Sequence, residues 1–477
     1  MIEAGSAPHA TSHLRRMATG LLLAVATLVA GQVRADDAVD RILPSREQLD
    51  PAHWIARAAD AEAAAPPDAI AAQNARLVAL DDSVEDIAAL PVELNGAAVA
   101  ARIRALSTRP TRTLYDERGE IIPSADLDAL LAATALQRVP ATVAPRFGLA
   151  VRRTALRTFP GALRAFSTPG DTDIDRFQES ALFPGDAVAA LHASADGEWL
   201  FVASDRYSAW ARAADIALGT REAVFGYGRR EPALVVTGAT ARTVFNPQRP
   251  ALSALQLDMG VRVPRLADWP AQRAVDGQSA WRGHVIELPV RDADGGLAFA
   301  PALLPPTADV ADAPLPLDPA NLLRQAFKFL GERYGWGHAF EARDCSGFVS
   351  EVYRSMGVVL PRNTGDQATS PAFARTGFDA DGDRAALRAA LAQARVGDLL
   401  YIPGHVMMVI GHEDGMTWVI HDVAGVGVSG TDGELLRIPL NQVAVTALEP
   451  LRADAGTPLL ERIHAIVRPR PDAPATR

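Results

Sequence analysis

The sequence predicts an α+β protein with an N-terminal helical region, two small antiparallel β-barrels, and a C-terminal domain whose helices precede an antiparallel sheet. Three observations support this prediction. Residues 36–140 are alanine-rich with helical periodicity. In residues 141–304, apolar and polar residues alternate in short runs that are broken by Asp-Gly and Pro-Gly turns, a pattern typical of small barrels. Beyond residue 317, amphipathic helices come first and short apolar strands follow.

The N-terminus has the layout of a secretory signal. Arg15 and Arg16 precede an apolar run, and Val33 and Ala35 occupy the small-x-small positions before a cleavage point. The run is shorter than the ~20 residues that a membrane span needs. We therefore expect residues 1–35 to be a signal peptide cleaved after Ala35; an uncleaved anchor and a cytosolic helix are the alternatives. No integral span is expected after cleavage.

Composition limits the function classes. The chain has 477 residues, of which 48% are hydrophobic and 22% charged, and this favours several globular domains. Its formal net charge is -10, and no basic run or aromatic patch suggests a nucleic-acid partner. The sequence does not predict an oligomeric state.

The N-terminal helical region, 36–140, has its clearest helices at 51–65 and 124–136, with Ser124 as the expected N-cap of the second. The first barrel is predicted over 141–216 and the second over 217–304, where an Asp-Gly-Gly turn closes a hairpin. Residues 305–317 are proline-rich and are predicted to form a linker.

The C-terminal domain, 318–470, begins with a helix whose expected N-cap is Asp318 and whose first residue is Pro319. A second helix follows Cys345, because Phe348, Val349 and Val352 recur at helical spacing. Strands are predicted at 397–402, 405–411 and 417–422.

Cys345 is the single cysteine of the chain, so it forms no internal disulfide. It lies at the start of the second helix, where unpaired N–H groups and the helix dipole favour a thiolate. A thiolate is a nucleophile, and the same N–H groups suit an oxyanion. A small buried hydrophobe and an intermolecular disulfide are the alternative interpretations.

Two histidines are predicted to lie beside this cysteine. If the hairpin turn is centred on residue 413, His405 and His421 lie directly opposite each other on one face, as a base and the group that orients it. His412 is expected in the loop, exposed to solvent. The alternative is zinc bound by both histidines and Cys345, although the usual close second ligand is missing.

These residues resemble a known family. "RDCSGFV", "LPRNT", "VGDLLYI", "HVMMVIG" and "WVIHD" have the order and spacing of the NlpC/p60 cell-wall peptidases, over roughly 315–450. The resemblance implies a papain-like domain in which Cys345 is the nucleophile, His405 the general base and His421 the residue that orients it. Residues around 175–211 similarly resemble the bacterial SH3-like module that precedes this domain in one branch of the family.

That branch resembles γ-D-glutamyl-L-diamino-acid endopeptidases, which hold a free L-alanine where the first module meets the catalytic domain. Carried over by position, the substrate-binding residues are Tyr334, Asp344 and Ser346, with Glu179 and Tyr207 from the first barrel. The chain departs from the family in having His338 where a glycine is common, and in having Asn363 where many relatives have aspartate. Asp366 follows three residues later.

The sequence therefore predicts an exported, periplasmic or secreted cysteine endopeptidase that cuts peptidoglycan stem peptides at the γ-D-glutamyl–diamino acid bond. Its partners are stem peptides or murein fragments, and no cofactor or metal is required. A non-catalytic peptidoglycan-binding protein is one alternative. An acyl or peptidyl transferase that uses the same cysteine is another.

Overall fold

The computed structural model describes residues 42–58, 63–379, 382–430 and 432–471. The predicted signal peptide, 1–35, lies outside these ranges, as do residues 59–62 of the predicted helix 51–65. In the ranges described, no helix is both long enough and apolar enough to cross a bilayer.

In the described ranges, the N-terminal part contributes four α-helices and one two-stranded ladder, which pack against the rest of the molecule. The helices are α1 (Pro51–Arg57), α2 (Pro67–Leu80), α3 (Gly96–Leu106) and α4 (Ser124–Ala133). Strands β1 (Leu94–Asn95) and β2 (Thr142–Val143) pair antiparallel. The prediction of Ser124 as an N-cap is wrong. Pro123 holds that position with its φ near -60°, and Ser124 is already the first helical residue.

The first barrel region is one seven-stranded antiparallel sheet. Its strands are β3 (Arg146–Ala150), β4 (Thr154–Arg157), β5 (Gln178–Leu182), β6 (Ala187–Ala193), β7 (Trp199–Ala203), β8 (Ser208–Arg212) and β9 (Ile216–Gly219). Their spatial order is β5-β4-β8-β7-β6-β3-β9. Small and apolar inward side chains, such as Ala189, Phe201 and Trp210, fill its interior.

The second barrel region consists of one helix and three small antiparallel sheets. The elements are α5 (Arg221–Tyr227), β10 (Ala233–Val236), β11 (Thr240–Arg242), β12 (Gln256–Asp258), β13 (Arg262–Pro264), β14 (His284–Arg291), β15 (Leu297–Leu304) and β16 (Val310–Ala311). The β14–β15 hairpin predicted from the Asp-Gly-Gly turn is confirmed by the pairing of His284 with Leu304. β16 lies in the segment predicted as a linker but pairs with β10. A second closed barrel in this region stays a prediction.

The C-terminal part packs helices on a six-stranded antiparallel sheet. The elements are α6 (Pro319–Phe327), α7 (Cys345–Arg354), α8 (Thr364–Thr369), β17 (Ala374–Gly377), α9 (Arg384–Ala392), β18 (Leu399–Ile402), β19 (His405–Glu413), β20 (Met416–Ser429), β21 (Leu435–Ala447) and β22 (Ala465–Arg468). The sheet order is β17-β22-β18-β19-β20-β21. The predicted cap of α6 is confirmed, because the Asp318 side chain accepts from the Asn321 N–H. Together these sheets and helices confirm the α+β fold class.

The predicted register of the β19–β20 hairpin is wrong. The turn is Asp414-Gly415, both with positive φ, and Glu413 pairs with Met416. A two-residue turn with positive φ at both centres is the ordinary hairpin connection for Asp-Gly. A bulge between Val409 and Gly411 shifts the pairing back by one residue, so that beyond it the register differs from the predicted one by two residues.

Candidate active site

Cys345 is the first residue of α7, and Asp344 caps the helix by accepting from the Gly347 N–H at 2.8 Å. The helix forms where predicted because Phe348, Val349 and Val352 are fully buried against the sheet. Gly357, with a φ of +82°, follows its C-terminal end. The nucleophile candidate is therefore held at the end of a helix that the core fixes in place.

His405 and His421 are in contact. His405 begins β19 and His421 lies in β20, and their Nε2 and Nδ1 atoms are 2.9 Å apart. In the observed register Met408 pairs with Ile420, so Met407 rather than His405 falls opposite His421. The two rings meet diagonally, because side chains two positions apart share one face of a sheet.

Thr446 of β21 completes this chain of hydrogen bonds. Its Oγ1 is 3.1 Å from His421 Nε2, and both side chains are buried. Burial lowers the pKa of His405 to about 4. Burial, followed by the neighbouring His405, puts the pKa of His421 well below its ordinary value. Both imidazoles are therefore neutral at pH 7, and each has one donor and one acceptor nitrogen.

The expectation that the helix start lowers the pKa of Cys345 is wrong. Burial, followed by the Asp344 carboxylate, raises the pKa of its thiol to about 12, while the Val406 backbone N–H opposes both. The cap that holds the helix end is itself an anion, so it repels a thiolate there. In the described part of the chain no hydrogen bond joins Cys345 to His405, although the thiol lies against the residue that follows His405.

Tyr334 lines the same pocket as His405 and His421, a cleft of about 370 Å³. Its side chain is buried, and burial raises its pKa, with the negative forms of Cys345 and Asp344 adding to the effect. The phenol is therefore a hydrogen-bond donor across the working pH range.

Asp344 and Ser346 are joined by Arg362, which the sequence analysis did not single out. Arg362 Nη2 donates to Asp344 Oδ2 at 2.7 Å, and Nη1 donates to Ser346 Oγ at 2.8 Å. Burial raises the pKa of Asp344, but Arg362 and His338 outweigh it and bring that pKa to about 2. Asp344 is thus an anion whose charge is already balanced.

Arg362 also connects this loop to the first barrel, since its Nε donates to Ser180 Oγ at 2.7 Å. The indole N–H of Trp336 donates to the carbonyl of Gln178, and the Gln178 side chain donates to Gly337 O at 2.8 Å. The first barrel therefore lies directly against the segment that carries Cys345.

Glu179 and Tyr207 are brought together as a pair, with Tyr207 Oη donating to Glu179 Oε2 at 2.5 Å. Tyr207 lines a second cleft, of about 630 Å³, together with Asn363 and Asp366. Asn363 Nδ2 donates to Asp366 Oδ2 at 3.0 Å. The cleft is also lined by four acidic residues between α2 and β1 and by two arginines, Arg102 and Arg206, so acidic side chains outnumber basic ones around it.

Sequence reasoning missed four side chains of this site. Arg362 lies inside the quoted "LPRNT" motif, and His338 was noted only as a departure; His338 Nδ1 accepts from Arg362 Nη2 at 3.1 Å. Asp422 lies inside the quoted "WVIHD" but was not singled out, and Thr446 gave no signal because its position depends on the pairing of β20 with β21. In the ranges described, no group of three or more His, Cys, Asp or Glu side chains is arranged to hold a metal ion.

Comparison with known proteins agrees with this geometry. Residues 331–440 match the NlpC/P60 family, and residues 164–212 match the SH3 domain of the SH3b1 type. The chain carries an NlpC/P60 domain. This is a family of cysteine peptidases, and the match includes Cys345, His405 and His421 within its bounds.

One curated relative matches only part of the chain. A Bacillus cereus (strain ATCC 10987 / NRS 248) protein named gamma-D-glutamyl-L-lysine dipeptidyl-peptidase is 31% identical over 143 residues, 29% of this chain. The chain spans 37% of that relative's length.

Among solved structures, an NlpC/P60 endopeptidase from Photobacterium damselae subsp. piscicida has a TM-score of 0.70 and 16% identity, covering 89% of this chain and 98% of that one. It shows a shared fold over both the NlpC/P60 domain and the residues that precede it. An NlpC/P60 family protein from Bacillus cereus ATCC 10987 has a TM-score of 0.45 and 20% identity, covering 68% of this chain and all of that one.

Proposed function

We propose that this chain is a cysteine endopeptidase that hydrolyses peptidoglycan stem peptides at the bond between γ-D-glutamate and the diamino acid. The observation that carries the proposal is the His405–His421–Thr446 chain beside a cysteine at the start of α7, inside an NlpC/P60 domain. The name of the Bacillus cereus relative supports the γ-D-glutamyl bond. We also propose that the protein is exported, on the signal pattern of residues 1–35.

The hydrogen bonds assign a role to each imidazole. If Thr446 Oγ1 accepts from His421 Nε2–H, then His421 Nδ1 accepts from His405 Nε2–H. This leaves His405 Nδ1 without a proton, as the basic nitrogen. His421 is then the group that fixes the tautomer of His405, as the third member of a triad does.

The raised pKa of Cys345 indicates how the thiol is activated. A neutral thiol beside a neutral imidazole transfers its proton to His405 as the sulfur attacks the γ-carbonyl carbon. The imidazolium then protonates the leaving amine as the carbon–nitrogen bond breaks. Water, deprotonated by His405, hydrolyses the thioester and restores the thiol.

The substrate-binding proposal places the acyl half of the peptide against the first barrel. Asp366 and Tyr207, whose hydroxyl donates to Glu179, line the acidic cleft, which suits a substrate ammonium. Asp366, which accepts from Asn363, supplies a carboxylate close to where many relatives have one. Tyr334, Asp344 and Ser346 are proposed to border the same peptide nearer to Cys345, with Asp344 acting through its ion pair with Arg362.

The test is cleavage of L-Ala-γ-D-Glu-L-Lys and L-Ala-γ-D-Glu-diaminopimelate, followed by release of L-Ala-D-Glu. Cys345→Ala is expected to abolish cleavage, and His405→Ala to lower kcat by about 10²–10⁴-fold. His412→Ala is the matched control, because this exposed histidine of β19 lies outside the cleft of His405 and His421 and bonds to the Ala394 carbonyl. Full activity in Cys345→Ala refutes the proposal. Product transferred to an added amine instead of water identifies a transferase.

A further inference from the structure

A cluster of arginines lines the cleft that contains the two histidines. Arg437, Arg452 and Arg462 border the same 370 Å³ pocket as His405 and His421. In the described part of the chain, no aspartate or glutamate lines this pocket. A peptide group that enters beside the histidines therefore meets a positive surface.

Within the described ranges, none of the three arginines forms an ion pair with a carboxylate within 4.0 Å. Arg452 is half-buried and is held in place by its Nε, which donates to Ser429 Oγ at 3.0 Å. Arg437 and Arg462 are exposed, and Asp454, whose pKa Arg462 helps to lower, is also exposed. Their guanidinium groups are therefore available to a ligand.

The position of this pocket identifies which half of the substrate reaches it. The first barrel contacts the other flank of the nucleophile, through Ser180, Gln178 and the Glu179–Tyr207 pair. No barrel residue is among those that line the arginine pocket in the described structure. If the acyl half lies against the barrel, the amine leaving group extends past the histidines towards the arginines.

We propose that Arg437, Arg452 and Arg462 bind the side-chain carboxylate of the leaving diamino acid, so that the site prefers diaminopimelate to lysine. This inference rests on the proposed function. Diaminopimelate carries a carboxylate at the end of its side chain, and guanidinium groups bind carboxylates bidentately. Lysine has only an ammonium there, which three arginines repel.

The test compares three tripeptides that differ only at the end of this side chain: L-Ala-γ-D-Glu-diaminopimelate, its side-chain carboxamide, and L-Ala-γ-D-Glu-L-Lys. We expect kcat/KM to be about tenfold higher for the free acid than for the other two. Arg452→Gln and the exposed Arg437→Gln each lower kcat/KM for the free acid by about tenfold, the effect of one charge-assisted hydrogen bond. Cleavage of the lysine peptide does not fall, because the lost arginine only repelled its ammonium, and this shows that the variants are folded. Arg324→Gln, on the exposed face of α6, is the control and changes none of the three.

Two results overturn the inference. An equal loss for all three peptides means that the arginines bind a group common to them, such as the glutamate α-carboxylate. No preference for the free acid in the wild-type protein means that they bind nothing at this position.

Calorimetric titration of Cys345→Ala separates the inference from the proposed function. Tighter binding of the free acid, weakened by adding Arg452→Gln, supports the arginine site even if the wild-type protein cuts none of the peptides. That combination of results would refute the hydrolysis instead. Equal binding of all three peptides overturns the arginine site.

Discussion

Asp422 is a buried carboxyl group whose ionised form is unfavourable in the folded protein. It follows His421 in β20, is 0% exposed, and neither of its oxygens has a hydrogen-bond partner within the described residues. Burial, followed by the neighbouring Asp344 and Glu332, raises its pKa to about 9, against the attraction of Arg343. At pH 7 the folded protein therefore holds a proton that the unfolded chain releases.

This proton makes stability depend on pH in a defined direction. In the unfolded chain the Asp422 carboxyl ionises near pH 3.8, whereas in the folded chain it ionises near 9. Between these values the folded state binds more protons, so the free energy of unfolding falls as pH rises, by at most about 1.4 kcal/mol per unit. Asp422→Asn removes this slope. We therefore expect the free energy of unfolding of the variant, relative to that of the wild-type protein, to be higher at pH 8 than at pH 4.5. Urea denaturation at the two pH values measures this difference.

Asp268→Asn is the matched control for Asp422→Asn, because Asp268 is exposed. It should not alter the difference between the two pH values. If Asp422→Asn loses as much stability at pH 8 as at pH 4.5, the carboxyl is not held in its protonated form.

Helix α1 is the element that fastens the N-terminal part to the catalytic sheet. Trp54 is 1% exposed, donates its indole N–H to the Gln48 carbonyl at 2.8 Å, and packs against Trp418 with ring centroids 5.8 Å apart. Glu413, at the tip of the β19–β20 hairpin, accepts from Gln48 and Arg57. The helix is only seven residues long, so these contacts rather than its own hydrogen bonds hold it in place.

Replacing Trp54 with alanine is expected to lower the free energy of unfolding by about 3–5 kcal/mol, because it leaves a cavity in the core of the catalytic domain. Leu49→Ala is the control within the same segment, since Leu49 is 40% exposed, and it should change stability by less than about 0.5 kcal/mol. Denaturant midpoints of the two variants measure this. Equal midpoints would mean that α1 docks without contributing to the core.

Elements were predictable where one local signal was sufficient. The helices α6 and α7 follow from a cap and an apolar stripe, and both lie where the sequence places them. The predicted register of β19–β20 was wrong because Gly411 and Gly415 suggested a symmetric loop between them. The observed turn depends on the Asp-Gly pair, and the bulge lies beside Gly411, where Trp54 packs closely.

The residues of the candidate site were likewise predictable only where a local sequence signal was sufficient. The proximity of His405 and His421 survives the register error, because a shift of two residues keeps a side chain on its face of the sheet. Arg362 and Thr446 were missed because their roles come from contacts between distant segments. The direction of the Cys345 pKa was wrong because burial of the whole site outweighs the local helix dipole.

At the scale of the whole molecule, three regions meet at one buried carboxylate. Asp258, in β12, is 0% exposed, and its Oδ1 accepts from Arg153 at 2.7 Å and from Arg343 at 2.8 Å. Arg153 precedes β4 of the first barrel, and Arg343 lies two residues before Cys345. Arg343 is also 0% exposed and bonds to Glu332 and Glu351. Both barrel regions are thus tied to the segment that carries Cys345.

Asp258→Asn leaves two buried arginines without their shared anion, so we expect it to cost about 3–5 kcal/mol of stability. Asp312→Asn is matched chemically, because Asp312 also accepts from an arginine, Arg265, but this pair is largely exposed and should contribute no more than about 1 kcal/mol. Urea denaturation of both variants compares the two ion pairs. Because the Asp258 contact fixes the segment leading to Cys345, Asp258→Asn should also lower kcat for the tripeptides at temperatures where it remains folded. An equal, small effect of the two substitutions would mean that the barrels and the catalytic domain are held together by apolar packing alone.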